Sequence, residues 1–264
     1  MCLKGEECMD KNKKTIIGAG ALFGTMAAVS SVIAITKKLK KKKIQNLLES
    51  QEYATGNVRI FGTLYLDNEK QKKPGDFLEY KDIPEYLGQK IEIKDTDKNE
   101  ENKLSWVEIN DNDKKLLICD RNILKGISWN ELNEQNLVFG KVVIIEGKKY
   151  ILRLLTGHSE KKNYKENEWD RYVVNTDKID GLPISTEYDI TNSSKQQDDK
   201  EKLNGKSNTL WHWYNFSSFT QSEGLRSEKF CIIRGFYSTT YSNQSIKDLK
   251  YETVGYRPVL ELIE

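Results

Sequence analysis

The chain has 264 residues, of which 37% are hydrophobic and 31% charged, enough for one sizeable domain with an appendage or for two small ones. Its net charge of +2 hides an asymmetry: residues 1–43 carry ten Lys against three acids, and the remainder carries 32 Lys and Arg against 37 acids. A mildly acidic folded part argues against a duplex-binding domain, which needs cations clustered on a folded face, so no nucleic acid partner is expected.

Thr15 to Thr36, TIIGAGALFGTMAAVSSVIAIT, are 22 positions without a charge. As a helix rising about 1.5 Å per residue they would span roughly 33 Å, against a bilayer core of about 30 Å. Lys11, Lys13 and Lys14 precede this stretch and six lysines between Lys37 and Lys43 follow it. Cations at both ends are what pins a helix between two headgroup layers. The expectation is a single-pass membrane protein anchored through residues 15–36, behind a short polar N-terminus at 1–14. The alternatives are a cleaved signal peptide, which would have a shorter apolar region and no such lysine cluster behind it, and a buried soluble helix, which this length and these flanks disfavour. The lysine excess after the span leans towards a cytoplasmic C-terminal domain. Gly20 and Gly24 form a G-x-x-x-G spacing that lets two helices approach and form a homodimer; the alternative is that small residues are simply common in membrane helices.

Residues 37–56 read as a lysine-rich spacer and 57–103 as a small β-rich segment. Val58, Ile60, Gly62, Leu64 and Leu66 fall on one face of VRIFGTLYL, the alternation of a strand. Ile91 and Ile93 mark another strand, and residues 94–103 a polar loop. LSWVEI and KLLICD read as two strands joined at Asn110–Asp113. Ser128 stands three residues before Glu131, the spacing of a capping box, so a short helix is predicted to begin there. VVIIEGKKYILRLL reads as two strands around Glu146 and Gly147. Residues 191–207 read as a second polar loop, and Phe230 to Arg234 and Val259 to Ile263 as strands. Many short strands, few helices and long polar loops predict an α+β fold.

Four stretches follow in an order that resembles a known family. They are Ile127-Ser128-Trp129-Asn130-Glu131-Leu132; Tyr150-Ile151-Leu152-Arg153-Leu154 followed by Asn167-Glu168-Trp169-Asp170; Ile232-Ile233-Arg234-Gly235-Phe236-Tyr237-Ser238; and Gly255-Tyr256-Arg257-Pro258-Val259-Leu260. The order resembles the sulfatase-modifying-factor family, the formylglycine-generating-enzyme-like domains. The resemblance covers residues 104–264. It implies a C-type-lectin-like domain with short strands and long loops, the scaffold also used by variable ligand-binding proteins of diversity-generating retroelements and by bacterial and phage proteins. It further implies scaffold roles for Arg153, Glu168, Trp169 and Arg257. Oxidase members need a pair of cysteines near the C-terminal end, whereas Cys231 is the only Cys after residue 119, so formylglycine-generating activity is not carried over.

The four cysteines, Cys2, Cys8, Cys119 and Cys231, form no CxxC and have no His at metal-ligand spacing, which speaks against a zinc site; a Cys119–Cys231 bridge stays open. The run LWHWYNFSSF, 210–219, supplies Trp211, Trp213 and Tyr214, rings that can stack on a sugar or anchor a protein partner, or serve as core. YSTTYSNQS, 237–245, supplies Tyr237, Thr239, Tyr241 and Asn243, the mixture of rigid tyrosines and adaptable amides used by binding loops, or an ordinary polar loop. In retroelement-varied relatives the variable residues fall in this region. His158 and His212 are read as structural. Asp180, Asp189, Asp198, Asp199 and Glu201 can ligate calcium, as in some lectin-like domains, although no EF-type spacing is present; solvated loop charges are the favoured account, and no other cofactor is expected. Arg234 and Arg257 are expected to be buried and paired with Glu168 or Glu261, because a lone buried guanidinium is costly. The reading is a membrane-anchored recognition protein for a protein or carbohydrate ligand, without catalysis. The alternatives are an enzyme on the same scaffold and a structural phage or prophage surface protein.

Overall fold

VRIFGTLYL forms strand β1, Val58–Leu66, but its alternation breaks in the middle. The pairing of β1 with β4, Lys103–Asp111, shifts register between Ile60 and Thr63, and Gly62 inside the shift has φ +69. A bulge at a glycine that tolerates this conformation turns the strand over. Val58 and Ile60 are thereby exposed, whereas Leu64 and Leu66 are buried.

This computed structural model describes residues 53–263 apart from 76–81, 113, 158–166, 193–195 and 225–226. Two sheets organise them. The first has eight strands in the order β2 (Glu69–Lys70), β1, β4, β5 (Lys114–Cys119), β13 (Val259–Leu262), β8 (Lys148–Arg153), β7 (Lys141–Ile145), with β3 (Ile91–Lys94) also paired to β1. The sheet curls, so that β3 and β7 come close: the Lys141 ammonium donates to the Ile91 carbonyl, and the Glu146 amide to the Asp95 carboxylate. The second sheet has five strands in the order β11 (Ser242–Ile246), β10 (Phe230–Gly235), β9 (Ser217–Glu223), β12 (Val254–Tyr256), β6 (Leu124–Lys125). β9 and β12 run parallel and the other pairs antiparallel.

The turns follow from residue chemistry. β7 and β8 meet at Glu146 and Gly147, both at positive φ, the pattern that matches the twist of a tight hairpin. Helix α1, Trp129–Glu134, begins with the capping box of Ser128 and Glu131. Helix α2, Glu187–Ile190, begins with a second, Thr186 and Asp189. Helices α3, Gln196–Asn204, and α4, Lys206–Trp211, follow, and a π-helical turn covers Trp169–Val174.

β4 and β5 are buried on both faces. On one side Trp106, Leu117 and Cys119 join a core with Leu132, Leu152, Tyr256 and Leu260. On the other, Val107, Ile109, Leu116 and Ile118 pack against Trp169, Tyr172, Trp211, Trp213 and Tyr214. Cys119 and Cys231 are both buried free thiols.

Three expectations are corrected. Of the described residues 38% lie in strands and 18% in helix, so the chain is mostly β-sheet; the α+β, C-type-lectin-like reading behind a transmembrane helix does not hold. The reason is that the helix-forming stretches between strands are short. The localisation as a single-pass membrane protein is likewise corrected to what the described residues show. Among the described residues no helix is long and apolar enough to cross a membrane. The longest of them has nine residues and rises about 14 Å, half of what a bilayer core needs. The stretch 15–36, with Gly20 and Gly24, lies outside the described residues. Third, the arginines choose other partners. Arg153, not Arg234 or Arg257, takes Glu168 and Glu261: its Nη1 and Nη2 donate to the two Glu168 oxygens at 2.7 and 2.6 Å and its Nε to Glu261 at 2.9 Å. Arg234 pairs with Asp170 instead, and among the described residues Arg257 donates to carbonyls and Ser218 and forms no ion pair.

Burial alone would raise the Glu168 carboxyl, but the bidentate Arg153 guanidinium holds it below its ordinary value of 4.5. A depressed folded value means that its contribution to stability is complete above the unfolded value and is lost as pH falls through the folded one. Arg153→Ala leaves a buried carboxylate uncompensated and should cost about 3–5 kcal/mol in urea unfolding at pH 7. The double exchange Arg153→Met/Glu168→Leu should recover much of that loss. Glu168→Gln should flatten the fall in stability between neutral pH and pH 3; an unchanged acid limb would show that the pair does not carry it.

Candidate functional site

The sequence sets aside two aromatic runs as a ligand surface, and the fold treats them oppositely. Trp211 and Trp213 are completely buried and Tyr214 nearly so, as part of the second core. The Trp213 indole donates to Ser207 Oγ at 3.2 Å, and the Tyr214 hydroxyl bonds Asp199. Thr239 is completely buried as well. These four are therefore corrected from ligand contacts to interior: Trp211, Trp213 and Tyr214 cover the second face of β4 and β5, and the Thr239 hydroxyl is turned to the Asp189 carbonyl.

Tyr237, Tyr241 and Asn243 come together at the surface. With Phe236, Gln244 and Tyr251 they line a cavity of about 240 Å³ on the five-stranded sheet, floored by Ser217, Ile233, Ser245, Thr253 and Val254. The Phe236 and Tyr237 rings meet edge to face at 4.6 Å, and Tyr237 and Tyr241 at 5.2 Å. The Asn243 amide donates to the Tyr241 hydroxyl at 3.1 Å, and its carbonyl accepts the Gln244 N–H at 2.9 Å. Gln244 Oε1 is buried without a hydrogen-bond partner, an unmade bond of the kind that costs about 1–3 kcal/mol. No residue of this lining carries a charge.

The loop 236–241 owes its shape to donors beneath it. Lys202, itself fully buried, donates to the carbonyls of Tyr237 at 2.6 Å and Thr191 at 2.8 Å. The Trp169 indole donates to the Thr239 carbonyl at 2.8 Å, and Arg234 Nε to that of Tyr241 at 3.1 Å. From above, Thr239 donates to the Asp189 carbonyl and Thr240 to that of Ile190. The hydroxyls of the loop thus turn inward to α2 while its tyrosine rings turn outward. Phe236 has φ +98, an unfavourable conformation for a bulky residue that costs about 1–3 kcal/mol and clusters at binding sites. Its N–H donates to the Trp213 carbonyl and its carbonyl accepts from Asn215, both at 2.9 Å.

The remaining sequence candidates are elsewhere. His158 and the side chain of Asp198 lie outside the described residues. His212 Nε2 lies 3.1 Å from an Arg121 nitrogen and its Nδ1 3.3 Å from the Asp120 carbonyl. Guanidinium only donates, so Nε2 accepts and Nδ1 carries the proton. Asp189 is committed to its capping box, and among the described residues no group of three His, Cys, Asp or Glu is placed to hold a metal ion. Lys202 and Tyr251 escaped the sequence reading. Lys202 sits in a run that looks like solvated loop, and Tyr251 stands alone among charges; no local pattern marks either. Phe236 carries a signal only in hindsight, as the residue after a glycine at a strand end. No protein-family model, no curated protein and no solved structure matches the chain.

Lys202→Met keeps the stem and removes both carbonyl contacts. It should lower stability by about 3 kcal/mol, at the level of hydrogen bonds to a charged group. Amide exchange at residues 237–241 should accelerate beyond that of β4 and β5; uniform acceleration across the chain would show that the lysine does not pin this loop.

Proposed function

We propose that this protein is a recognition module whose cavity between Tyr237, Tyr241 and Tyr251 holds a neutral, ring-bearing group of its ligand. The carrying observation is the lining itself: aromatic rings, hydroxyls and amides on a rigid sheet, without a carboxylate, imidazole, thiol or amine. Such a wall offers flat apolar faces together with donors and acceptors, which suits a sugar ring or an uncharged side chain. Its volume of about 240 Å³ is below the roughly 300–1,000 Å³ of sites for drug-sized molecules, so it fits one ring and not a whole cofactor. The fixed carbonyls of the loop mean that little ordering is left to be done on binding, which favours affinity. Acid–base chemistry has no group to use there. The thiol chemistry of the resembled family has no support either: burial pushes the Cys119 and Cys231 thiols up to about 12, so neither is a thiolate at neutral pH.

Saturation-transfer NMR with neutral methyl glycosides and with N-acetyltyrosinamide tests this. At least one neutral ring should bind, and Tyr241→Ala and Asn243→Ala should each weaken it by about tenfold, or ~1.4 kcal/mol. A sugar that binds while the amide does not identifies a carbohydrate ligand, and the reverse a protein one. The proposal is lost if no neutral probe binds, or if both variants bind as the parent does.

A further inference from the structure

On the other side of Tyr251 lies a second cavity, of about 380 Å³, lined by Glu85, Tyr86, Leu87, Gly126, Lys250, Tyr251 and Glu252. Its chemistry is the opposite of the first. Lys250 is neutralised by Glu131 at 2.7 Å, and Glu252 by Lys125 at 2.6 Å. Glu85 remains. It is exposed, and among the described residues its carboxylate makes no ion pair or hydrogen bond.

Its position is nevertheless fixed. Glu85 bridges to Lys125 through the backbone, with the Tyr86 amide donating to the Lys125 carbonyl and the Lys125 amide to that of Pro84. Gly126, at φ +68, leaves room for the stem: a Cβ there would stand 3.1 Å from Glu85 Cγ. The wall beside this carboxylate is aromatic, and Leu87 stands on the rim 77% exposed. The chain already demonstrates the preference of the site. Lys250 places its ammonium 5.5 Å from the Tyr86 ring centroid, the distance of a cation–π contact. Burial first and the Glu131 charge second raise the Tyr86 phenol, against the Gln135 hydrogen bond and the Lys250 charge.

We infer that the Glu85–Tyr86–Tyr251 cavity is a binding site for a primary alkylammonium group, with the ammonium on the Glu85 carboxylate, the ring faces of Tyr86 and Tyr251 beside it, and the alkyl stem along Leu87. The stem and head are those of a lysine side chain or of a free aliphatic amine. An anion is disfavoured because both cations at the cavity are already paired, and a neutral group leaves the Glu85 charge unused. The inference rests on this cavity alone and stands whether or not the neutral site on the far side of Tyr251 binds a ring.

The test is an amide-shift NMR titration of the protein with n-butylammonium, with N-acetyl-lysine-N-methylamide, and with n-butanol as the neutral isostere. Saturable shifts confined to residues 85–87, 126 and 250–252 are expected with the two amines and not with butanol. Glu85→Gln should weaken them by roughly tenfold or more, the loss of one charged contact. Because Glu85 is exposed and supports no other side chain, that variant should keep the parent's unfolding midpoint; Leu87→Ser, a milder change on the rim, should weaken the amines less. Tighter binding of the lysine derivative assigns a peptide source, and tighter binding of butylammonium a free amine. Equal shifts with butanol, shifts unaffected by Glu85→Gln, or no saturable shift with either amine would overturn the inference.

Discussion

Two buried guanidinium groups hold the rest of the structure in place. Arg234 and Arg257 each lie 5.7 Å from the Trp169 ring centroid. A buried cation costs several kcal/mol unless its donors are met, and here they are met mostly by backbone. Arg257 donates to the carbonyls of Cys119, Asp120, Trp211 and His212 and to Ser218. Arg234 donates to those of Gly157, Thr239 and Tyr241 and to Asp170. Burial pulls Arg257 down to about 10, still far enough above neutrality for it to remain charged. Apart from that of Cys119, which ends β5, these carbonyls belong to segments outside the strands. The cations therefore do for the loops what the ladder does for the strands.

From this follows the division of labour among the aromatic residues. The segment around Trp211 is drawn inward because its carbonyls are wanted by Arg257, and its rings then cover the second face of β4 and β5. The segment 237–241 is also gripped by its carbonyls, from Lys202, Trp169 and Arg234. There the rings are left on the outside, since the backbone and the small hydroxyls occupy the inner side. The same kind of anchoring yields core in one place and an open aromatic wall in the other.

The strands were largely legible from the sequence because their signals are local. The Glu146-Gly147 turn, the Ser128 cap and the Phe230 to Arg234 run each appear where residue chemistry places them. What was not legible depends on distant neighbours. The bulge at Gly62 is invisible in VRIFGTLYL, which alternates without a break. Helix α3 hides in a segment so polar that only Leu203 hints at a packed side. Whether Trp211 faces solvent depends on an arginine 46 residues away. Of the candidate site, Tyr237, Tyr241 and Asn243 were visible as a composition, and Tyr251 and Lys202, which complete and support it, were not. The expected anchor followed from the length, lack of charge and flanking lysines of 15–36, which lie outside the described residues, and none of the described helices is long and apolar enough to cross a membrane.

Asn243 sits on β11, the border of its sheet, where half of the backbone groups face away from β10. Its carbonyl covers the outward N–H of the next residue while its amide steadies Tyr241. One side chain thus shapes the cavity and also caps a free border that would otherwise recruit a foreign strand. Retuning the cavity through this position is therefore coupled to solubility. An apolar replacement that gripped a new ligand better would also leave the outward N–H of Gln244 without this acceptor, on an edge where unmet backbone groups invite a neighbouring strand.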